Sequence, residues 1–282
     1  MLDILPSDLI AVGLVLVLAG ALTGLLAGLF GVGGGAIIVP VLYQVFQAGG
    51  VADDVRMPLT VGTSLAVIVP TSVASYLAHR PTGAIDDAIL RLWAWPCVAG
   101  VMLGAAAAAF ADAWLFKLVF VLVAGGIGGK LVAGHVIPGP ATPSAEQPLP
   151  APAIMRGIGF AVGLLSALMG ISGGMLSNIL ILQLGRSMHR AVATSAGLGL
   201  CIALPGAVGY MLAGQMVRTP LPPFSIGYVS LPALVLVGLF GSALAPLGAR
   251  LAHAIDRRLL QLAFGCYLLA ACVRFAIDLA PH

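Results

Sequence analysis

Charge is what this sequence has least of. Only 8% of its residues are Asp, Glu, Lys or Arg, where a soluble domain carries about 25%, so the chain cannot coat a water-facing surface. The formal charge of +3 is scattered along it, and no basic patch offers a footing to nucleic acid. Met1 to Asp8 holds no Lys or Arg. A cleaved signal peptide needs a basic n-region, so the first apolar run is expected to remain as a mature helix. The four cysteines, Cys97, Cys201, Cys266 and Cys272, form neither a CxxC pair nor a metal-ligand spacing; they are expected to be reduced, buried packing residues. Acids and histidines are missing from the middle of every apolar run, where a proton relay or a metal site would place them. These absences argue against an intramembrane metalloprotease or a di-acid lipid enzyme and give the expectation of a non-enzyme with no cofactor and no metal. Lys117 and Lys130 stand near segment ends and are expected to snorkel towards water.

What the chain has instead is hydrophobicity: 60% of residues are apolar and the mean hydropathy is +1.11. A helical span takes roughly 20 apolar residues. Apolar segments occupy 9–30, 36–48, 58–78, 92–111, 113–133, 157–171, 174–184, 191–213, 227–249 and 258–277. Runs this dense do not alternate as barrel strands do, so the fold class is all-α, integral to a lipid bilayer. Between the fifth and sixth segments lies a stretch with Pro138, Pro140, Pro143, Pro148, Pro150 and Pro152. It reads as a solvated linker. The domains are then a first transmembrane repeat at 1–134, a Pro-rich cytoplasmic linker at 135–155 and a second transmembrane repeat at 156–282.

The two halves resemble each other. Gly24, Leu25, Leu26, Leu29, Gly31, Gly34, Gly35 and Gln44 match Gly163, Leu164, Leu165, Leu168, Gly170, Gly173, Gly174 and Gln183 at a constant offset. Further on, Thr63-Ser64 matches Thr194-Ser195, Tyr76 matches Tyr210, and Asp112, Leu115, Leu118 and Phe120 match Asp256, Leu259, Leu262 and Phe264. Lys and Arg favour the cytoplasmic ends of spans. If each of the ten segments ends on the face opposite its start, one face holds nine of them: Arg80, Arg91, Lys130, Arg156, Arg186, Arg190, Arg250, Arg257 and Arg258. The other holds four, Arg56, Lys117, Arg218 and Arg274. Merging the first two segments of each half removes the bias. Five segments per half place the second repeat inverted relative to the first, with the linker inside and the N-terminus outside.

Glycine interrupts the chain at matching places. Gly31, Gly33, Gly34 and Gly35, and then Gly170, Ser172, Gly173 and Gly174, each precede an unusually short apolar segment, a short or re-entrant helix. Glycine lets the backbone turn and uncovers N–H groups, successive N–H groups form an anion nest, and the following helix adds its positive end. Broken segments at corresponding positions of two inverted halves point to a transporter's central site; close helix packing through small residues is the competing reading. Thr63, Ser64, Thr194, Ser195 and Asn178 are polar groups within segments and are expected to line the same site; back-bonding to their own helices is the alternative.

The chain resembles the sulfite exporter TauE/SafE family, also called the toluene-sulfonate uptake permease group. The resemblance rests on GLFGVGGGAIIVP at 28–40, GISGG at 170–174, AVATS at 191–195 and VGTS at 61–64, and covers all but the Pro-rich linker. It implies a secondary transporter, an exporter by the family's description, moving small anions such as sulfite, sulfonates or organosulfur acids across the inner membrane. A passive anion channel and an integral lipid-modifying enzyme stay open as alternatives. The expected partners are a small anionic substrate and the lipid bilayer, with no nucleic acid; a homo-oligomer is left open. Topology is directly testable. Ser144→Cys in a background lacking native cysteines should react with a membrane-impermeant thiol reagent only in inside-out vesicles; labelling on intact cells would reverse the orientation.

Overall fold

The structure, a computed structural model, describes residues 6–30, 34–134, 148–217, 219–252 and 256–279. Among them the chain forms ten α-helices: α1 (Pro6–Phe30), α2 (Gly35–Ala48), α3 (Asp53–His79), α4 (Asp87–Phe110), α5 (Ala113–Val132), α6 (Pro152–Met169), α7 (Gly174–Gln183), α8 (Met188–Ala213), α9 (Leu231–Ala252) and α10 (Arg257–Leu279). Seven helices are long and apolar enough to cross a membrane, and the all-α membrane architecture holds. The helices after the glycine motifs, α2 with 14 residues and α7 with 10, are the short ones. At 1.5 Å per residue each falls short of a hydrocarbon core of about 30 Å, so neither crosses it alone. One segment starts later than its hydropathy indicates. Residues 225–230 form a two-stranded hairpin, Ser225–Ile226 with Val229–Ser230, and α9 begins only at Leu231, because Gly227 turns the chain at φ 51° against the Met211 backbone.

The long helices find their main partners across the halves, while α2 and α7 pack on α3 and α8 of their own. α1 runs along α9 and α6 along α4, and glycine makes both contacts. A Cβ on Gly20 would stand 2.9 Å from the Val237 Cα, and one on Gly159 2.9 Å from the Trp93 Cα. One turn on, a Cβ on Gly24 would overlap the Gly241 carbonyl oxygen, and one on Gly163 the Cys97 carbonyl oxygen. Two small-xxx-small stripes, Gly20/Gly24 and Gly159/Gly163, thus bring backbones into contact where lipid supplies no hydrophobic drive between helices. Exchanging the halves maps one pair onto the other. The remaining equivalents meet directly: α3 lies antiparallel to α8, with Gly62 on Tyr210 and Gly197 on Tyr76, and α5 lies antiparallel to α10, with Gly125 near Cys272 and Gly128 on Gly265.

The polar groups gather at two ends. At the first, Tyr43 of α2, Asp53 of α3, Lys117 of α5 and Asp278 of α10 join: Lys117 Nζ donates to Asp53 at 3.0 Å and Tyr43 Oη to Asp278 at 2.9 Å. The Lys117 side chain is only 2% exposed, and its ammonium, rather than reaching water, pairs with the exposed Asp53 carboxylate. At the second end Arg186 meets Asp86 at 2.8 Å. The cysteines divide. Cys97 and Cys272 are buried as expected, Cys201 is intermediate, and Cys266 is exposed on the outer face of α10.

Two threonines tie the halves together. Thr63 Oγ1 accepts the Ser230 N–H at 3.0 Å, and Thr194 Oγ1 accepts the Asp86 N–H at 2.8 Å. Asp86 caps α4, its carboxylate accepting the Ile89 N–H, and Ser230 does the same for α9 through the Ala233 N–H. Each threonine therefore fixes the start of the helix that pairs with the opposite half. Thr194→Val should leave the buried Asp86 N–H unsatisfied at a cost of about 1–3 kcal/mol, lowering the melting temperature in detergent, whereas Thr194→Ser should retain most of it. Gly163→Ile should be worse, since it forces α6 off α4. Gly157→Ile, with no atom within 4 Å of its Cβ position, should melt close to the parent.

Candidate functional site

The two glycine motifs meet inside the bundle. Gly34 turns the chain at φ 81° into α2, and Gly173 at φ 67° into α7; a side chain at either would be strained. A Cβ on Gly35 would stand 2.8 Å from the Ile171 Cα and 2.9 Å from the Gly170 carbonyl oxygen, so the motifs are in backbone contact. Ser64 donates its hydroxyl proton to that Gly170 carbonyl at 2.8 Å, satisfying an acceptor that the break in the helix leaves free. Neither α2 nor α7 carries a side-chain cap at its N-terminus. The first N–H groups of both helices therefore lack an intrahelical partner.

A cavity of about 570 Å³ adjoins this joint, lined by α1, α3, α7, α8 and α9 together with Gly34 and Ile38 at the start of α2. It runs from the glycine contact along the later halves of α3 and α9, where Thr71, Ala74, Ser242 and Pro246 are exposed. That is the direction of the second end, where Asp86 and Arg186 lie. No Asp, Glu, Lys or Arg contributes to its wall. Its polar groups are hydroxyls and one amide. Four of the hydroxyls bond carbonyls of their own helices: Thr23 to Gly20, Thr71 to Ile68, Ser195 to Val192 and Ser242 to Leu239, at 2.8 to 3.0 Å. Ser72, Ser75 and Ser172 have no such bond among the described residues, and the Asn178 side-chain oxygen is buried without a partner. An amide offers two donors and an acceptor. The wall can therefore give hydrogen bonds to an anion without holding it by a fixed positive charge. No cluster of three metal-ligating side chains occurs among the described residues.

Of the residues singled out in the sequence, Gly34, Gly174, Ser172, Asn178 and Ser195 line this cavity. Gly35, Gly170 and Gly173 form the joint behind it, and Gly31 and Gly33 lie outside the described residues. The two Thr-Ser pairs are not brought together. The antiparallel register of α3 and α8 sets Thr63-Ser64 beside Tyr210 and Thr194-Ser195 beyond Tyr76, at opposite ends of that contact. The hydroxyls of Thr63, Ser64 and Thr194 are fully buried and engaged with backbone. Thr23, Ser72 and Ser75 are cavity residues that the pattern of repeats does not mark. Their only sequence signal is a hydroxyl within an apolar run; Ser72 is buried beside Gly199 of α8 and Ser75 is half-buried.

Comparison with known proteins agrees with this architecture. Residues 16–275 match the sulfite exporter TauE/SafE family. The chain is similar to a probable membrane transporter protein of Haemophilus influenzae, 28% identical over 261 residues that cover 92% of this chain and 96% of that protein. It is also similar to a probable membrane transporter protein of Methanocaldococcus jannaschii, 29% identical over 79% of this chain and 80% of that one. A third relative is the probable membrane transporter protein YunE of Bacillus subtilis, 27% identical over 72% and 79%. No solved structure matches the chain significantly. With its full set of apolar helices spanned by that match, the chain belongs to the sulfite exporter TauE/SafE family of membrane transporters.

Proposed function

We propose that the protein is a secondary transporter that exports a small anion such as sulfite, a sulfonate or an organosulfur acid across the inner membrane, with its second repeat inverted relative to the first and its linker in the cytoplasm. One observation carries the reading: two uncapped helix N-termini meet at the base of a cavity whose wall holds hydroxyls and an amide but no charged side chain. A sulfonate or sulfite group presents several acceptor oxygens and no donor. Free N–H groups at α7, the Ser172 and Ser72 hydroxyls and the Asn178 amide are complementary to it, and the helix dipoles add favourable potential. A buried Arg would bind the same group more tightly and release it more slowly, which suits a receptor better than a carrier. The cavity faces the end that bears Arg80, Arg186 and Arg250, the cytoplasmic end by the distribution of Lys and Arg. That is the side from which an exporter loads. A channel would need a route open at both ends, whereas the wall here closes at the glycine joint.

Flux of methanesulfonate or sulfite into proteoliposomes containing the purified protein tests this. Transport should be saturable, and a counter-gradient should drive it against the anion's own electrochemical gradient, which a passive channel cannot do. Losing a hydrogen bond to a charged group costs about 1.5–3 kcal/mol, so Asn178→Leu and Ser172→Ala should each weaken half-saturation about ten-fold or more. Flux no greater than in empty liposomes, or unchanged half-saturation in both variants, would sink the assignment of substrate and site.

A further inference from the structure

The open cavity has a counterpart. Exchange of the halves maps α1 and α9 onto α6 and α4, and the glycine contacts fix the register: Gly24 corresponds to Gly163, Val237 to Trp93 and Gly241 to Cys97. Under that correspondence the cavity residues Ala27, Val67, Val237 and Gly241 become Ser166, Leu198, Trp93 and Cys97. All four of these are 0% exposed. Of the cavity set, Val67 and Val237 are themselves buried and Ala27 and Gly241 half-buried; the contrast is that these positions line a cavity of about 570 Å³, while their counterparts form a solid side, fully packed.

The solid side is packed with the wrong chemistry for a permanent core. Among the described residues, the buried side-chain atoms without a hydrogen-bond partner are Trp93 Nε1, Ser166 Oγ, Asn178 Oδ1 and Ser225 Oγ. Two of them, Trp93 and Ser166, fall in this counterpart region, and a third, Asn178, lines the open cavity. Buried polar groups are almost always satisfied, and leaving one unpaired costs free energy. Ser166 also sits against the uncapped N-terminus of α7: a Cβ on Gly173 would stand 3.0 Å from its hydroxyl. At the matching place on the open side, a Cβ on Gly34 would stand 3.6 Å from the Ala27 methyl. The closed side thus has a hydroxyl at the same joint that the open cavity reaches.

We propose that Trp93, Cys97, Ser166 and Leu198 line a second vestibule, closed in this conformation, that opens towards the Asp53–Lys117 end when the present cavity closes, and that the Trp93 indole N–H and the Ser166 hydroxyl are its anion contacts. The vestibule rests on the pseudo-symmetric packing; its ligand rests on the anion reading above. The glycine-bonded pairs α1–α9 and α4–α6 are the units that would change places against α3 and α8. The two unpaired donors then destabilise the closed packing and gain partners in the open one, which keeps both conformations within reach of each other.

Cys97 is a native reporter. A variant retaining only this cysteine (Cys201→Ala, Cys266→Ala, Cys272→Ala) is placed in oriented vesicles and exposed to a charged, impermeant methanethiosulfonate from either face. Gly241→Cys in a cysteine-free background reports the open cavity, where a Cβ meets nothing nearer than 3.5 Å. Val101→Cys, one turn nearer the Asp53–Lys117 end on the closed side and also 0% exposed, is a second probe should the first variant misfold. The expected result is labelling of position 241 from the linker side and of Cys97 from the opposite side, at least ten-fold faster than from the linker side. Methanesulfonate on that opposite side should slow it, and Trp93→Phe should raise the protecting concentration about ten-fold. Cys97 and Val101→Cys unreactive from both faces in protein that transports methanesulfonate, or reactive only from the linker side, would overturn the vestibule. Sided labelling of Cys97 that methanesulfonate does not alter would uphold the vestibule and overturn the anion as its ligand.

Discussion

Inside a bilayer no water is at hand to satisfy a broken helix, so every exposed backbone group must find a partner in the protein. This constraint organises the molecule. The glycine motifs free carbonyl and N–H groups in the middle of the chain's thickness, and the surrounding helices exist in positions that cover them. Ser64 takes the Gly170 carbonyl, the Gly35 backbone closes on Ile171, and the first turns of α2 and α7 are left facing the cavity. At the candidate site the uncapped N-termini of α2 and α7 leave early N–H groups without an intrahelical partner, and a substrate can take the place of the missing partner.

The same constraint explains the two threonines. A helix that starts within the bundle needs its early N–H groups satisfied. For α4 and α9 a carboxylate and a hydroxyl serve one N–H each, and a threonine from the other half's long helix takes the N–H of the capping residue itself. Position, tilt and pairing of α4 and α9 are then coupled to α8 and α3. Glycine completes the coupling, since a methyl at Gly24 or Gly163 would push apart the backbones that meet there.

Much of the fold was legible because its signals are local. A glycine run before a short apolar segment marks a break wherever it occurs, and both breaks lie where the sequence puts them. The family motif is local too. Interactions set by distant partners were not legible. Thr63 and Thr194 stand out as a repeated pair, yet their bonds run to Ser230, 167 residues away, and Asp86, 108 away, so their role in joining halves was hidden behind their resemblance to cavity residues. Lys117 looks like an end-of-segment lysine until Asp53, 64 residues earlier, arrives beside it. Thr23, Ser72 and Ser75 escaped notice because a hydroxyl in an apolar run does not say which face of its helix will border a cavity.

The pairing of α1 with α9 also sets an order of events during synthesis. Gly24 waits for Gly241, 217 residues later in the chain. At about 5–20 residues per second that is roughly 10–40 s, during which α1 has emerged from the ribosome without the helix against which its glycine stripe packs. α6 has no such delay, because α4 precedes it. α1 therefore depends for long on lipid, or on the insertion machinery, as a temporary neighbour, and the wall of the cavity is complete only when α9 arrives.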